Sequence, residues 1–131
     1  MKWQIPARTL AVSLMLLPIA AHADNTVAAS KVAAGDSARG MRLYQSCMGC
    51  HSLDENDVGP RHRGVVGRQA GTVAGYAYSG ALRGSGLTWT RANLDRWLAG
   101  PQAFVPGTKM YYTVPRSQDR ADLIAYLARQ K

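Results

Sequence analysis

Cys47-Met48-Gly49-Cys50-His51 places two thiols three residues apart and an imidazole directly after the second. Carried on a helical turn, thiols at that spacing reach the two vinyl groups along one edge of a porphyrin, and the next imidazole points at the iron. Small Gly49 lets the backbone pass close to the ring edge. The run therefore predicts one covalently attached haem c per chain, with Cys47 and Cys50 as thioether anchors and His51 as an axial ligand of the iron. Two other chemistries use such a pair. A thioredoxin-like dithiol needs strands alternating with helices, which this chain lacks. A structural zinc takes four ligands, and past residue 23 the chain offers only Cys47, Cys50, His51 and His62, with no second clustered pair.

Counting narrows the iron's sixth ligand. Past the same point the candidates are Met41, Met48, Met110 and His62. Met48 lies inside the attachment run and Met41 on the helix before it, so both fall on the proximal side. Met110 follows Val105-Pro106-Gly107-Thr108-Lys109, a turn stiff enough to present a thioether across the ring. The ordinary role of such a methionine is core filler; the missing competitors and the preceding turn favour ligation. His62 is the rival, and its place soon after His51 puts it on the loop beneath the proximal ligand. A histidine and methionine pair raises the potential of a haem iron and leaves no open coordination position. The expected job is single-electron transfer rather than catalysis. The alternative is a haem enzyme or gas sensor that works by displacing Met110.

Upstream, Lys2 and Arg8 make a positive start, Leu10 to Ala21 is almost unbroken apolar sequence, and Ala21-His22-Ala23 supplies the small residues of a cleavage site. This is the pattern of an export signal, and the apolar run is shorter than the roughly 20 residues that span a bilayer. The expected division is a signal peptide over 1–23, cleaved after Ala23, a flexible tail over 24–34 and one domain over 35–131. The expected location is the periplasm, with no stable membrane insertion. The domain is poor in large aliphatics: past the leader it has one isoleucine, Ile124, and one phenylalanine, Phe104. A large flat apolar cofactor would complete a core that the side chains fill thinly. The formal net charge of the whole chain is +8, and the leader contributes only Lys2 and Arg8, so partners with acidic docking surfaces are expected. Apart from Arg61-His62-Arg63 and Arg68 the basic residues form no stripe interleaved with aromatics, which argues against nucleic acid.

The local pattern predicts helices and loops. Asp36 caps a helix running through Ser46, with Gly40 and Tyr44 on one face. Ser52 to Gly75 reads as a long loop. Ser79 to Arg83 makes a short helix ended by Gly84. Thr90 caps another, with Leu94, Trp97 and Leu98 on its buried face, stopped by Gly100-Pro101. A loop through Val105-Pro106-Gly107 leads to a last helix from Ser117 to Arg129, buried along Leu123, Ile124 and Leu127, with Asp119 and Asp122 placed early as the helix dipole favours. No alternating run is long enough for a sheet.

From about Gly35 onward the chain resembles the class I cytochromes c, the group of mitochondrial cytochrome c and its small bacterial relatives. The likeness rests on Cys47 to His51, Gly59-Pro60, Gly64-Val65-Val66-Gly67-Arg68, Gly86-Leu87-Thr88-Trp89, Pro106 to Met110, and Ala121-Asp122-Leu123-Ile124-Ala125-Tyr126-Leu127 in that order. The resemblance implies an all-α fold, helices wrapped around one covalently bound haem and joined by long loops. It implies that the Pro60 carbonyl accepts a hydrogen bond from the proximal imidazole. It also implies that Arg68, Tyr78 and Trp89 sit near the haem propionates, and that Gly40 and Tyr44 pack the first helix against Leu123 and Tyr126.

Some positions depart from the mitochondrial pattern. Leu82 and Trp97 replace an asparagine and a tyrosine on the methionine side, while Thr108 is retained, so polarity around the Met110 sulfur should be lower. His62 replaces a usual leucine and reads as a surface adjustment rather than a pH-sensitive neighbour of the haem. Ser46, Gln102 and Ala103 stand where lysines ring the exposed haem edge; Lys109 and Arg116 remain. Steering toward acidic partners should be weaker than in mitochondrial proteins. The expected partners are redox proteins, a dehydrogenase, a cytochrome complex or an oxidase, met by a monomer.

Overall fold

The structure is a computed structural model that describes Met1 and residues 34–131; the expected leader after Met1 and the expected tail up to residue 33 lie outside the described residues. Among the described residues five helices carry the fold: α1 (Ser37–Tyr44), α2 (Gly80–Arg83), α3 (Arg91–Ala99), α4 (Pro101–Phe104) and α5 (Ser117–Leu127), with a 3-10 turn over Gln45–Cys47 continuing α1. Among the described residues no strand forms, and Gln69 and Thr88 make one isolated antiparallel bridge. The all-helical expectation holds.

Three helices start where a side-chain oxygen satisfies a free backbone N–H. Asp36 accepts from the amides of Ala38 and Arg39, Ser79 from that of Leu82, and Thr90 from that of Asn93. The first helix ends sooner than its sequence suggests, tightening at Gln45 into the 3-10 turn that carries Cys47. The last helix stops at Leu127, short of Arg129. Gly100-Pro101 ends α3 but does not open a loop: Pro101 sits at the first position of α4, where its missing N–H costs nothing. The Arg96 guanidinium then lies 4.2 Å over the Phe104 ring, tying α3 to α4.

The terminal helices α1 and α5 meet in a tight seam. Gly40 has no room for a side chain, because a Cβ there would come 2.0 Å from the Asp122 carbonyl oxygen and 2.9 Å from the Tyr126 Cβ. Tyr44 packs beside it, tilted against Tyr126 with ring centroids 5.2 Å apart. Asp122 is 1% exposed. It accepts from the Asp36 amide at 2.8 Å and pairs with Arg39, whose guanidinium also reaches Asp119 at 2.5 Å. The helix dipole is therefore not what places Asp122; the residue is the ionic partner of α1 across the seam. Arg120 donates to Asp95 at 2.7 Å and links α5 to α3. Leu94, Trp97 and Leu98 of α3 face Leu123, Ile124 and Leu127 of α5 in one core with Leu82 and Tyr44. The core is a shell around a hollow.

Candidate functional site

The hollow is an apolar cavity of about 510 Å³, within the range of roughly 300–1,000 Å³ usual for small-molecule and cofactor sites. All ten residues singled out in the sequence line it: Cys47, Cys50 and His51; Pro60, Arg68, Tyr78, Trp89, Trp97 and Thr108; and Met110. Met41 and Met48 do not. Both are exposed and border a separate small hollow outside it.

Cys47 ends the 3-10 turn, and the His51 amide donates back to its carbonyl at 2.9 Å, so the run Cys47 to His51 is one tight turn. Burial pushes the Cys47 thiol's pKa up, the opposite of what a thiolate nucleophile needs. His51 Nδ1 donates to the Pro60 carbonyl at 2.8 Å. That fixes the proton on Nδ1 and leaves Nε2 with its lone pair free. Burial lowers the imidazole's pKa against the opposing pull of the Pro60 carbonyl and Asp57, which favours the neutral ring a metal ligand requires. The ring is also wedged against Gly59, where a Cβ would lie 2.1 Å from His51 Cε1.

His62 is not a surface adjustment. Its ring stacks on His51 with centroids 4.0 Å apart, and its Nδ1 shares a 3.1 Å hydrogen bond with the Tyr44 hydroxyl. Burial, then the nearby His51 and Arg68, pushes its pKa down to about 3. It is a neutral ring at physiological pH. The sequence puts it on the loop beneath His51 but carries no signal that its ring turns inward, since its flanks Arg61 and Arg63 are charged and exposed.

Arg68 and Trp89 are brought together by backbone pairing: the Trp89 amide donates to the Arg68 carbonyl at 2.8 Å, and the Gly67 amide to the Trp89 carbonyl at 2.9 Å. Trp89 then meets Trp97 edge to face at 5.1 Å. The half-buried Arg68 guanidinium donates to the carbonyls of Arg61 and Arg63, both at 2.9 Å. Among the described residues no acidic side chain lines the cavity, and burial lowers the Arg68 pKa. A half-buried cation served only by carbonyls calls for an anionic group at the cavity's edge.

Met110 arrives on the loop between α4 and α5, after a turn whose Gly107 takes φ +87°, a backbone setting that side chains disfavour. The Gln102 amide clamps this loop, donating to the carbonyls of Thr108 at 2.7 Å and Met110 at 3.0 Å. Lys109 Nζ donates across to the Ala77 carbonyl at 2.6 Å. Gln102 was legible only as a lost lysine; its clamping role needed the geometry. At the cavity mouth, Val58, Tyr111 and Tyr112 are exposed, and the Tyr112 hydroxyl donates to Ser46 Oγ at 3.2 Å.

These residues fit a haem. The walls are apolar and aromatic, a neutral imidazole and a methionine line the cavity from different loops, two cysteines stand beside the imidazole, and the Arg68 cation, with carbonyl partners and no ion pair among the described residues, is present for carboxylates. The family described as Cytochrome c matches residues 37–131. A cytochrome c2 of Rhodomicrobium vannielii is 46% identical over 106 residues, covering 78% of this chain and 85% of its own. Among solved structures, cytochrome cH from Methylobacterium extorquens is 47% identical with a TM-score of 0.70, covering 72% of this chain and 98% of its own. Ferricytochrome c2 from Rhodopseudomonas palustris is 41% identical with a TM-score of 0.70, covering 73% and 99%.

Proposed function

Since the chain belongs to the cytochrome c family and is a monohaem c-type electron carrier rather than an enzyme, we propose that Cys47 and Cys50 hold the haem by thioether bonds and that His51 and Met110 are its axial ligands. The observation that carries this reading is that His51 and Met110 line the same apolar cavity, the His51 ring held through Nδ1 by the Pro60 carbonyl and the Met110 backbone held at its carbonyl by the Gln102 amide. The bound haem iron supplies one-electron chemistry by alternating between ferric and ferrous states. The Pro60 carbonyl orients the His51 ring and fixes its tautomer. Gln102 and Lys109 hold the Met110 loop closed, so the thioether side chain stays in the cavity in both oxidation states. Leu82, Trp97 and Thr108 make that side dry and sparing in hydrogen bonds, and Arg68, Tyr78 and Trp89 receive the propionates.

Electrons cross at the mouth, where Val58, Tyr111 and Tyr112 give an apolar rim and Lys109 a positive charge. The partners are redox proteins, a dehydrogenase, a cytochrome complex or an oxidase, with acidic surfaces around their own exit points. The export pattern in the sequence supports the periplasm as the place of work. Among the described residues no helix is long and apolar enough to cross a membrane.

Purified protein is expected to be red, to keep its haem through acid acetone extraction, and to show in its oxidised form the weak far-red band of a thioether ligand. Met110→Ala is expected to lose that band and lower the midpoint potential. Extraction of the haem would overturn the thioether assignment, and a Met110→Ala protein with unchanged spectrum and potential would overturn the ligand assignment. Native ferrous protein that binds carbon monoxide readily would instead favour a role through displacement of Met110.

A further inference from the structure

The proximal side of the cavity holds a second imidazole that electron transfer does not require. His62 lies face to face with His51, planes 21° from parallel. The Tyr44 hydroxyl that bonds its Nδ1 belongs to a side chain 3% exposed, fixed in the seam between α1 and α5. Three contacts therefore constrain the His51 ring. The Pro60 carbonyl sets the direction of Nδ1, the Gly59 backbone closes one edge, and the flat face of His62 sets the tilt about the ring's long axis. The first two are made by backbone, the third by a side chain.

We propose that His62 is a positioning residue for electron transfer: its imidazole, held by Tyr44, sets the plane of the His51 ring and so tunes the iron's ligand field and potential. This rests on His51 being the proximal ligand. A leucine would fill the same space, but a branched aliphatic packs against a ring at any tilt, whereas a flat ring at 4.0 Å imposes a parallel one. The plane of an axial imidazole decides which iron orbital its π system overlaps, and hence how unpaired spin spreads over the porphyrin in the oxidised state. Partners beyond the ligand shell act on metals in this way.

The test uses the purified haem-loaded protein and two variants, His62→Leu and Tyr44→Phe. Three quantities are read: the paramagnetically shifted ring-methyl resonances of the oxidised form, the midpoint potential, and the thermal unfolding midpoint. His62→Leu is expected to reorder or compress the methyl pattern and to change the ratio of reduced to oxidised protein at a fixed ambient potential by about threefold, the scale of one aromatic pair. Tyr44→Phe keeps both rings but frees His62, and is expected to move the same resonances in the same direction by less. If His62→Leu does not fold, Tyr44→Phe decides alone. Wild-type methyl pattern and potential in the variants that fold, whatever their unfolding midpoints, overturn the proposal. A wild-type protein without the low-spin signature of an imidazole ligand overturns the ligand reading and this one together; a normal wild type with silent variants overturns this one only.

Discussion

Gly40 lies so close to α5 that a methyl group on its Cα would come 2.0 Å from the carbonyl oxygen of Asp122. The obstacle is backbone, which cannot swing aside as a flexible side chain does. Gly40→Ala is therefore expected to force the terminal helices apart and lower stability by about 2–3 kcal/mol, despite alanine's better helix propensity. Denaturant unfolding of the haem-loaded variant measures this, and a midpoint equal to wild type would contradict it.

Asp122 predicts an acid limb of stability. Its burial raises its pKa, but the Asp36 amide, Gln118 and Arg39 together outweigh that and hold the carboxyl below its ordinary value. A carboxyl with a depressed folded pKa contributes stability that is complete above its unfolded pKa and is lost as pH falls through the folded one. Stability should thus fall below about pH 4. Asp122→Asn should be less stable at neutral pH and show a flatter decline on acidification, measured as unfolding midpoint against pH.

Gly59→Ala would bring a Cβ to 2.1 Å from His51 Cε1. The ring is pinned by Pro60 and His62 and cannot retreat without losing one of them. The variant is expected to assemble with a weakened proximal bond, visible as high-spin character in the oxidised spectrum. An unperturbed low-spin spectrum would show that the loop yields instead.

Gln102→Ala removes both hydrogen bonds that hold the carbonyls of Thr108 and Met110. Met110 should then leave the iron more readily, and carbon monoxide should bind the reduced variant at least about tenfold faster than wild type, as loss of a partner outside the ligand shell typically costs. Equal binding rates would assign the loop's stiffness to Lys109 and the turn at Gly107.

Ser46, Gln102 and Ala103 leave the mouth with few lysines, and the exposed side chains there are Val58, Tyr111 and Tyr112. Reduction by an acidic redox partner should depend only shallowly on ionic strength. Stopped-flow rates that drop steeply with added salt would contradict this.

Most of the helices and the cavity lining are readable in advance because they rest on local or motif-level signals: caps at Asp36 and Thr90, the glycine stop at Gly84, the period of Leu94, Trp97 and Leu98, and the thiol spacing before His51. What escaped was set by partners that the local pattern does not name. Pro101 reads as a stop, yet it starts α4, and that restart is held by Arg96 over Phe104. Asp122 reads as a dipole complement until Arg39 and Asp36 arrive from the other end of the domain. His62 sits between two exposed arginines, and no local pattern says that its own ring turns inward. Gln102 shows only as a missing charge. In each case the deciding neighbour is fixed by tertiary structure.

The seam between the terminal helices also orders the protein's making. Arg39 and Asp122 stand 83 positions apart, and a growing polypeptide emerges amino end first. During synthesis a contact of that span can close only once α5 has been made, and the intervening chain must be gathered to form it. The cysteines follow α1 directly, so throughout synthesis they belong to an open strand with no partner helix behind it. Until α5 has been made, the thiols beside α1 therefore stand on a chain whose two ends have not yet met.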